Sequence, residues 1–348
     1  MGPPMRALIF DRPGEIRVGD LPSPNPGPGE AVIEVGAASV CASDLRVYRG
    51  EKYAKAGVVP GHEFAGQVVA LGEGVSDLSL GDGVAVYPII SCGGCEFCRR
   101  GLRNRCTSRQ TLGYDANGGL AEQVLLPAPL VAQGHAVKLP DGADWGRAAL
   151  TEPTACVLNS LESCRFRAGA SVAILGAGPM GLLHVLLARA LGAGEIIVSE
   201  PVDVRRAAAA EVGASRACGG DPDELRATVD EATGGNGCDI VIVSVGLNGL
   251  TEAALQVAGR QSSVNLFAGF PPESSAIVDV NDLHYREVSL TGTQNATPDQ
   301  FRRTAAILPT LDAVDHIVSH RFALSEADQS YTSREDPSVL KTAVLPDA

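Results

Sequence analysis

Ser171-Val172-Ala173-Ile174-Leu175-Gly176-Ala177-Gly178-Pro179-Met180-Gly181 is the stretch that decides how the second half of this chain folds. Its first five residues form an apolar β run, and the last six fit G-x-G-x-x-G. Helical spacing of apolar residues follows from Pro179 to Leu191, and Glu195-Ser199 reads as β again. In a chain with 40 glycines the pattern alone is weak, but here it sits between an apolar strand and a helix. That context predicts a βαβ dinucleotide site. Gly176 permits the tight turn, Gly178 lets backbone approach a pyrophosphate, and Gly181 allows close helix-strand packing. The helix start at Pro179 and Met180 then offers unpaired N–H groups to the phosphates.

Outward from this turn, Arg205-Val212 reads as a helix, and Asp239-Val245 and Ser263-Ala268 as further strands. The order implies a parallel, doubly wound α/β sheet. Glu200 ends the second strand, about 20 residues beyond the glycines, where an acid accepts the ribose hydroxyls. A carboxylate there repels a 2′-phosphate, so NAD is expected over NADP. Arg205 is kept as a candidate cofactor contact, because a nearby Arg can accommodate that phosphate; with Arg206 it also reads as a solvated helix face.

Before residue 150 the character differs. Ala7-Phe10, Ala31-Ala37, Ala65-Leu71, Gly83-Tyr87 and Glu122-Leu126 are short β runs broken by Gly and Pro, which suggests a barrel-like β domain. Pro22 to Gly29 is a Pro-rich surface turn. After about Thr293 the pattern returns to mixed helix and short strands. With 348 residues there is room for two domains with buried cores. A net charge of −13 argues against a nucleic-acid partner. No apolar stretch approaches the roughly 20 residues that span a bilayer, and Met1 to Asp11 lacks a secretory layout. Four of the nine cysteines crowd into one loop, so a cytoplasmic location is expected.

Those four are Cys92, Cys95, Cys98 and Cys106, spaced C-x2-C-x2-C-x7-C. Four thiolates so close can wrap one tetrahedral Zn²⁺ and leave no open position, which makes a structural site. Two local disulfides, or free thiols, are the alternative. A second set is dispersed: Cys41-Ala42-Ser43-Asp44, Gly61-His62-Glu63 and Thr151-Glu152-Pro153. A catalytic zinc needs about three ligands and an open position. Cys41, His62 and one or both of Glu63 and Glu152 can supply them, although the residues alone leave that grouping open.

Taken in order, these motifs, with Gly81-Asp82-Gly83-Val84 and Gly118-Gly119-Leu120-Ala121-Glu122, make the chain resemble the zinc-dependent medium-chain alcohol dehydrogenases over nearly its full length. The resemblance implies a GroES-like β-rich catalytic domain over 1–153, a Rossmann domain over 154–292, and a segment 293–348 returning to the first. It implies two zinc ions per chain, NAD, a small alcohol or ketone substrate, and a homo-oligomer (dimer or tetramer). Glu rather than Cys at 152 resembles the sorbitol and threonine dehydrogenase branch, where Glu152 would bind zinc directly or through its water and Glu63 would be a close or alternating ligand. Ala268, Gly269 and Phe270 match the loop whose backbone holds the nicotinamide carboxamide.

The same resemblance implies that zinc polarises the substrate oxygen and that Ser43 takes the hydroxyl proton. Ser43 is otherwise a turn hydroxyl. Asp44 would accept the second ring N–H of His62, or serve as a helix cap. Arg46 stands where many members carry the outer histidine of the proton relay, and a guanidinium releases no proton near neutral pH. It can touch substrate or sit on the surface. His135, His184, His284, His316 and His320 form no ligand spacing, and His184 reads as a core residue. Cys156, Cys164, Cys218 and Cys238 read as buried thiols, and Trp145 and Tyr48 as packing or pocket lining. The expected substrate is a polyol, sugar, cyclitol or aminocyclitol. An amino alcohol of the threonine type is the alternative, and a non-catalytic zinc- and dinucleotide-binding protein is the reading from another class.

Overall fold

A computed structural model describes residues 4–347 and divides the chain into two compact units. One is built from the chain up to Ala155, from Ala296–Thr310 and from Val318 onward. The other comprises Cys156–Asn295 and Leu311–Ile317. Among the described residues no helix is long and apolar enough to cross a membrane.

In the first unit the strands Val318–Ala323, Lys341–Leu345, Ala31–Ser39, Glu63–Leu71, Gly83–Val86 and Ala136–Lys138 lie side by side in that order, with Gln123–Leu126 also paired to Ala31–Ser39. Ala31–Ser39 is the central strand and is buried along nearly its whole length, which its Ala and Val content permits. Its close pairing with Glu63–Leu71 depends on Gly66, where a Cβ would stand 2.0 Å from the Glu34 carbonyl oxygen. The hairpin Pro4–Arg12/Glu15–Pro22 adds Leu8 to the core with Ile33, Phe64, Leu120 and Leu126.

The second unit carries a six-stranded parallel sheet. Its order is Arg216–Cys218, Glu195–Ser199, Ser171–Leu175, Cys238–Val243, Ala258–Leu266, Ser289–Gly292. Numbered along the chain, that is 3-2-1-4-5-6, the Rossmann order, with its switch point between Ser171–Leu175 and Cys238–Val243. Both strands at the switch are almost wholly buried runs of Val, Ile, Ala and Leu. The C-terminal segment does not belong to the first unit throughout. The short helix Asp312–His316 packs against Asp203–Val212, His316 lies 3.5 Å from Glu211, and Val314 and Ile317 are buried.

Candidate functional site

Cys41 immediately precedes the helix Ala42–Tyr48, and Asp44 lies in that helix's first turn. Buried Asp44 accepts the Cys41 N–H at 2.9 Å with Oδ2, while Oδ1 lies 3.1 Å from His62 Nδ1. Helix cap and histidine orienter are therefore one residue. Burial opposes the charged form of both partners. For Asp44 the nearby His62 outweighs burial and holds the carboxyl below its usual range; for His62, Asp44 and Cys41 outweigh it and raise the imidazole well above its usual value.

His62 is delivered by Gly61 (φ +90°), over which the Gly118 backbone passes so closely that a Cβ would sit 2.0 Å from the Gly61 oxygen. Glu63 then opens the strand Glu63–Leu71 and is fully buried. Its Oε2 accepts from Lys341 Nζ at 2.6 Å and from Ser39 Oγ. Its Oε1 is buried and has no hydrogen-bond partner among the described residues. Cys41, His62 and Glu63 each offer a ligand atom, all within 4.8 Å of one another. With Nδ1 taken by Asp44, the free ring nitrogen of His62 is Nε2. A thiol, an imidazole nitrogen and an orphaned carboxylate oxygen at this spacing fit a zinc ion. Glu152, in the first turn of the helix Thr151–Ser163, stands outside this trio, although its charge bears on Lys52 and Tyr114.

The local sequence did not point to Tyr114, Ser39, Lys341 or Lys52. The Tyr114 hydroxyl lies 2.7 Å from Ser43 Oγ and 3.1 Å from His62 Nδ1. Lys52 Nζ sits 3.8 Å from the centroid of the Tyr114 ring. Arg46 turns to the surface, 3.4 Å from Glu51. Tyr48 packs edge-on against Tyr331, and the Trp145 ring lies over Gly36, where a Cβ would meet it at 2.3 Å. Both are packing residues.

In the cysteine loop all four thiols are free and lie within 4.8 Å of one another. Backbone N–H groups already aim at sulfur: Cys92 N–H at Cys106 Sγ (3.3 Å) and Cys95 N–H at Cys92 Sγ (3.4 Å). Hydrogen bonds from Cys98 and Thr107 backbone lower the Cys95 thiol to about 6, whereas burial raises Cys98 to about 11. No disulfide forms among them, and a donor set of four thiolates fits a tetrahedral zinc ion.

At the switch point Gly176 adopts φ +101°, and its N–H donates to Ser199 O at 2.8 Å. A Cβ on Gly181 would lie 1.9 Å from the Gly176 oxygen. Gly178 is the N-cap of the helix Pro179–Ala190 and no side chain caps it, an arrangement that fits a phosphate at the helix start. Buried Glu200 reaches back to this turn: Oε2 accepts the Ala177 N–H at 2.7 Å and Oε1 the Val202 N–H at 3.0 Å. Arg206 is engaged by Asp203 and, at 2.6 Å, by the Glu200 carbonyl, while Arg205 is half-buried in the same helix. Ala268 N–H donates to Val243 O at 3.1 Å, and Gly269 approaches Gly246 so closely that a Cβ there would lie 2.3 Å from the Gly269 oxygen. Ala268, Gly269 and Phe270 thus line the same carboxyl end of the sheet as the glycine turn.

His184 is a core residue, its Nδ1 2.7 Å from Met180 O and its ring edge-on to Phe267. His135 is also buried, whereas His284, His316 and His320 are exposed. Cys164, Cys218 and Cys238 are buried, but Cys156 is only half-buried.

Residues 27–141 match the model of the alcohol dehydrogenase GroES-like domain, and residues 179–309 that of the zinc-binding dehydrogenase domain. A sorbitol dehydrogenase of Halalkalibacterium halodurans is 31% identical over 350 residues, covering 98% of this chain and 99% of the relative. An L-threonine 3-dehydrogenase of Pyrococcus horikoshii is 35% identical over 291 residues, covering 81% of this chain and 80% of the relative. The solved structure of a candidate zinc-binding dehydrogenase from Sinorhizobium meliloti 1021, bound to NADP, superposes with a TM-score of 0.90 at 31% identity, covering 99% of this chain and 100% of that one. With both domain models matched in order and a full-length relative at 31% identity, the chain belongs to the zinc-dependent medium-chain alcohol dehydrogenase family.

Proposed function

We propose that this chain oxidises a secondary alcohol of a polyol, sugar, cyclitol or aminocyclitol, and reduces the matching ketone, with NAD as hydride carrier and two zinc ions per chain. The observation that carries this reading is the convergence of Cys41, His62 and Glu63 beside the Ser43–Tyr114 hydroxyl pair. When bound, zinc supplies Lewis acidity toward an alcohol oxygen and the nicotinamide supplies a hydride acceptor. Cys41, His62 and Glu63 would hold the catalytic ion, and Cys92, Cys95, Cys98 and Cys106 the structural one. Asp44 fixes the ring of His62, Ser43 meets the hydroxyl proton, and Glu152 adds negative charge nearby. Arg46, paired with Glu51, takes no part in moving the proton.

NAD is favoured by the Glu200 carboxylate against the glycine turn and by Arg206, which is already engaged. The NADP of the Sinorhizobium structure makes NADP the competitor to test. A second reading, oxidation of an amino alcohol, is supported by Lys52, an ammonium over the Tyr114 ring without a carboxylate partner among the described residues. Such a group suits a substrate carboxylate. Nine free thiols support a cytoplasmic location, and exposed Ile277, Val280 and Tyr285 support assembly into a homo-oligomer, measurable by sedimentation.

The test is a panel of sorbitol, cyclitols, aminocyclitols and L-threonine, each offered with NAD and with NADP to zinc-loaded protein. NAD-dependent oxidation of a polyol or cyclitol is expected, and Glu200→Ala should relax the preference toward NADP. Oxidation of L-threonine alone would move the assignment to the second reading. Binding of NADH without turnover of any alcohol would make the chain a non-catalytic binding protein, and preference for NADPH would overturn the role given to Glu200.

A further inference from the structure

Ser43 Oγ and the Tyr114 hydroxyl stand 2.7 Å apart, and in isolation either can donate. Their surroundings decide the direction. Asp44 Oδ1 lies 3.1 Å from His62 Nδ1, so that nitrogen carries the ring proton. The Tyr114 oxygen lies 3.1 Å from the same Nδ1, which, carrying its proton toward Asp44, has no lone pair with which to accept the phenol O–H. The phenol proton therefore cannot go to the imidazole, and among the described residues the remaining acceptor beside it is Ser43 Oγ. Ser43 then accepts from Tyr114, and its hydroxyl proton must point elsewhere. Ser43 is half-buried and lies two residues from Cys41, one of the ligand trio.

We propose that Tyr114 is a positioning residue of this dehydrogenase: by donating to Ser43 Oγ it turns the Ser43 hydroxyl proton toward the substrate oxygen. The inference rests on the alcohol dehydrogenase reading of the site. The phenol is held for the task. It is 7% exposed, its ring belongs to a small cluster with Phe10, Val47 and Val58, and Lys52 covers its face. Phe at 114 would keep that packing and lose only the hydroxyl.

The experiment compares Tyr114→Phe, Ser43→Ala and the double variant, as zinc-loaded enzyme with NAD and the alcohol the wild type oxidises best. Losing one orienting hydrogen bond should lower kcat about tenfold in Tyr114→Phe, with KM and NADH affinity unchanged. In the Ser43→Ala background the same change should cost nothing further. Unchanged kcat in Tyr114→Phe, or a second loss in the double variant equal to the first, would overturn the proposal. A substrate-free readout accompanies it: with ¹³C at Cζ of the six tyrosines, the resonance missing from Tyr114→Phe should shift in Ser43→Ala. An unshifted resonance overturns the hydrogen bond whatever the substrate, whereas absence of turnover in the wild type overturns the dehydrogenase reading itself.

Discussion

Lys341 Nζ lies 2.6 Å from Glu63 Oε2, with 2% and 0% of the two side chains exposed. Three adjacent strands create this pair. Ser39 is opposite Glu63 in one ladder and opposite Ala343 in the next, so the strand Lys341–Leu345 brings its lysine to the carboxylate. Ser39 Oγ and Lys341 both occupy Oε2, which leaves Oε1 without a hydrogen-bond partner among the described residues.

Removing only the lysine strands a buried carboxylate. Lys341→Met should cost about 3 kcal/mol or more in the metal-free protein, read from urea unfolding of the first unit. Adding Glu63→Gln should recover most of that loss, because the charge that needed a partner is gone. An equal loss in both variants would show that the lysine acts through packing alone.

Cys41→Ala should abolish turnover while leaving NADH affinity nearly intact, since the dinucleotide turn lies in the other unit. Asp44→Asn should leave the ligands in place but weaken zinc binding about 10- to 100-fold, measured by competition with a chelator. Normal turnover in Cys41→Ala would sink the catalytic-zinc assignment.

The cysteine loop makes a separate prediction. Cys95→Ser should reduce bound zinc from about two ions to about one per chain and lower thermal stability. Elemental analysis of the purified protein gives the count. An unchanged zinc content would remove the structural site.

Burial holds the imidazoles of His135 and His184 down to about 4, against 6.5 for the free side chain. The folded chain thus keeps both neutral while the unfolded chain protonates them. Their contribution to stability is complete above about pH 6.5 and is lost as pH falls toward 4. Urea midpoints at pH 7 and pH 4.5 should show the loss, and His184→Gln should flatten it. Equal slopes in wild type and variant would refute the role of His184.

The amino-acid sequence by itself determined the parts whose geometry is local. The glycine turn is readable because each glycine answers a backbone need within one strand-helix junction, and the cysteine quartet because four thiols within one loop can meet without help from the rest of the fold. Cys41, His62 and Glu63 were legible as candidates only through resemblance, since nothing in their spacing brings them together. Tertiary structure decided what depends on strand register and chain return: Ser39 and Lys341 on Glu63, Tyr114 between Ser43 and His62, Glu152 outside the trio, and Leu311–Ile317 in the second unit. Shifting one strand of the sheet by a single residue would turn Lys341 or Glu63 to its other face and dissolve the pair. A contact of that kind is a property of paired strands, and no stretch of sequence holds it alone.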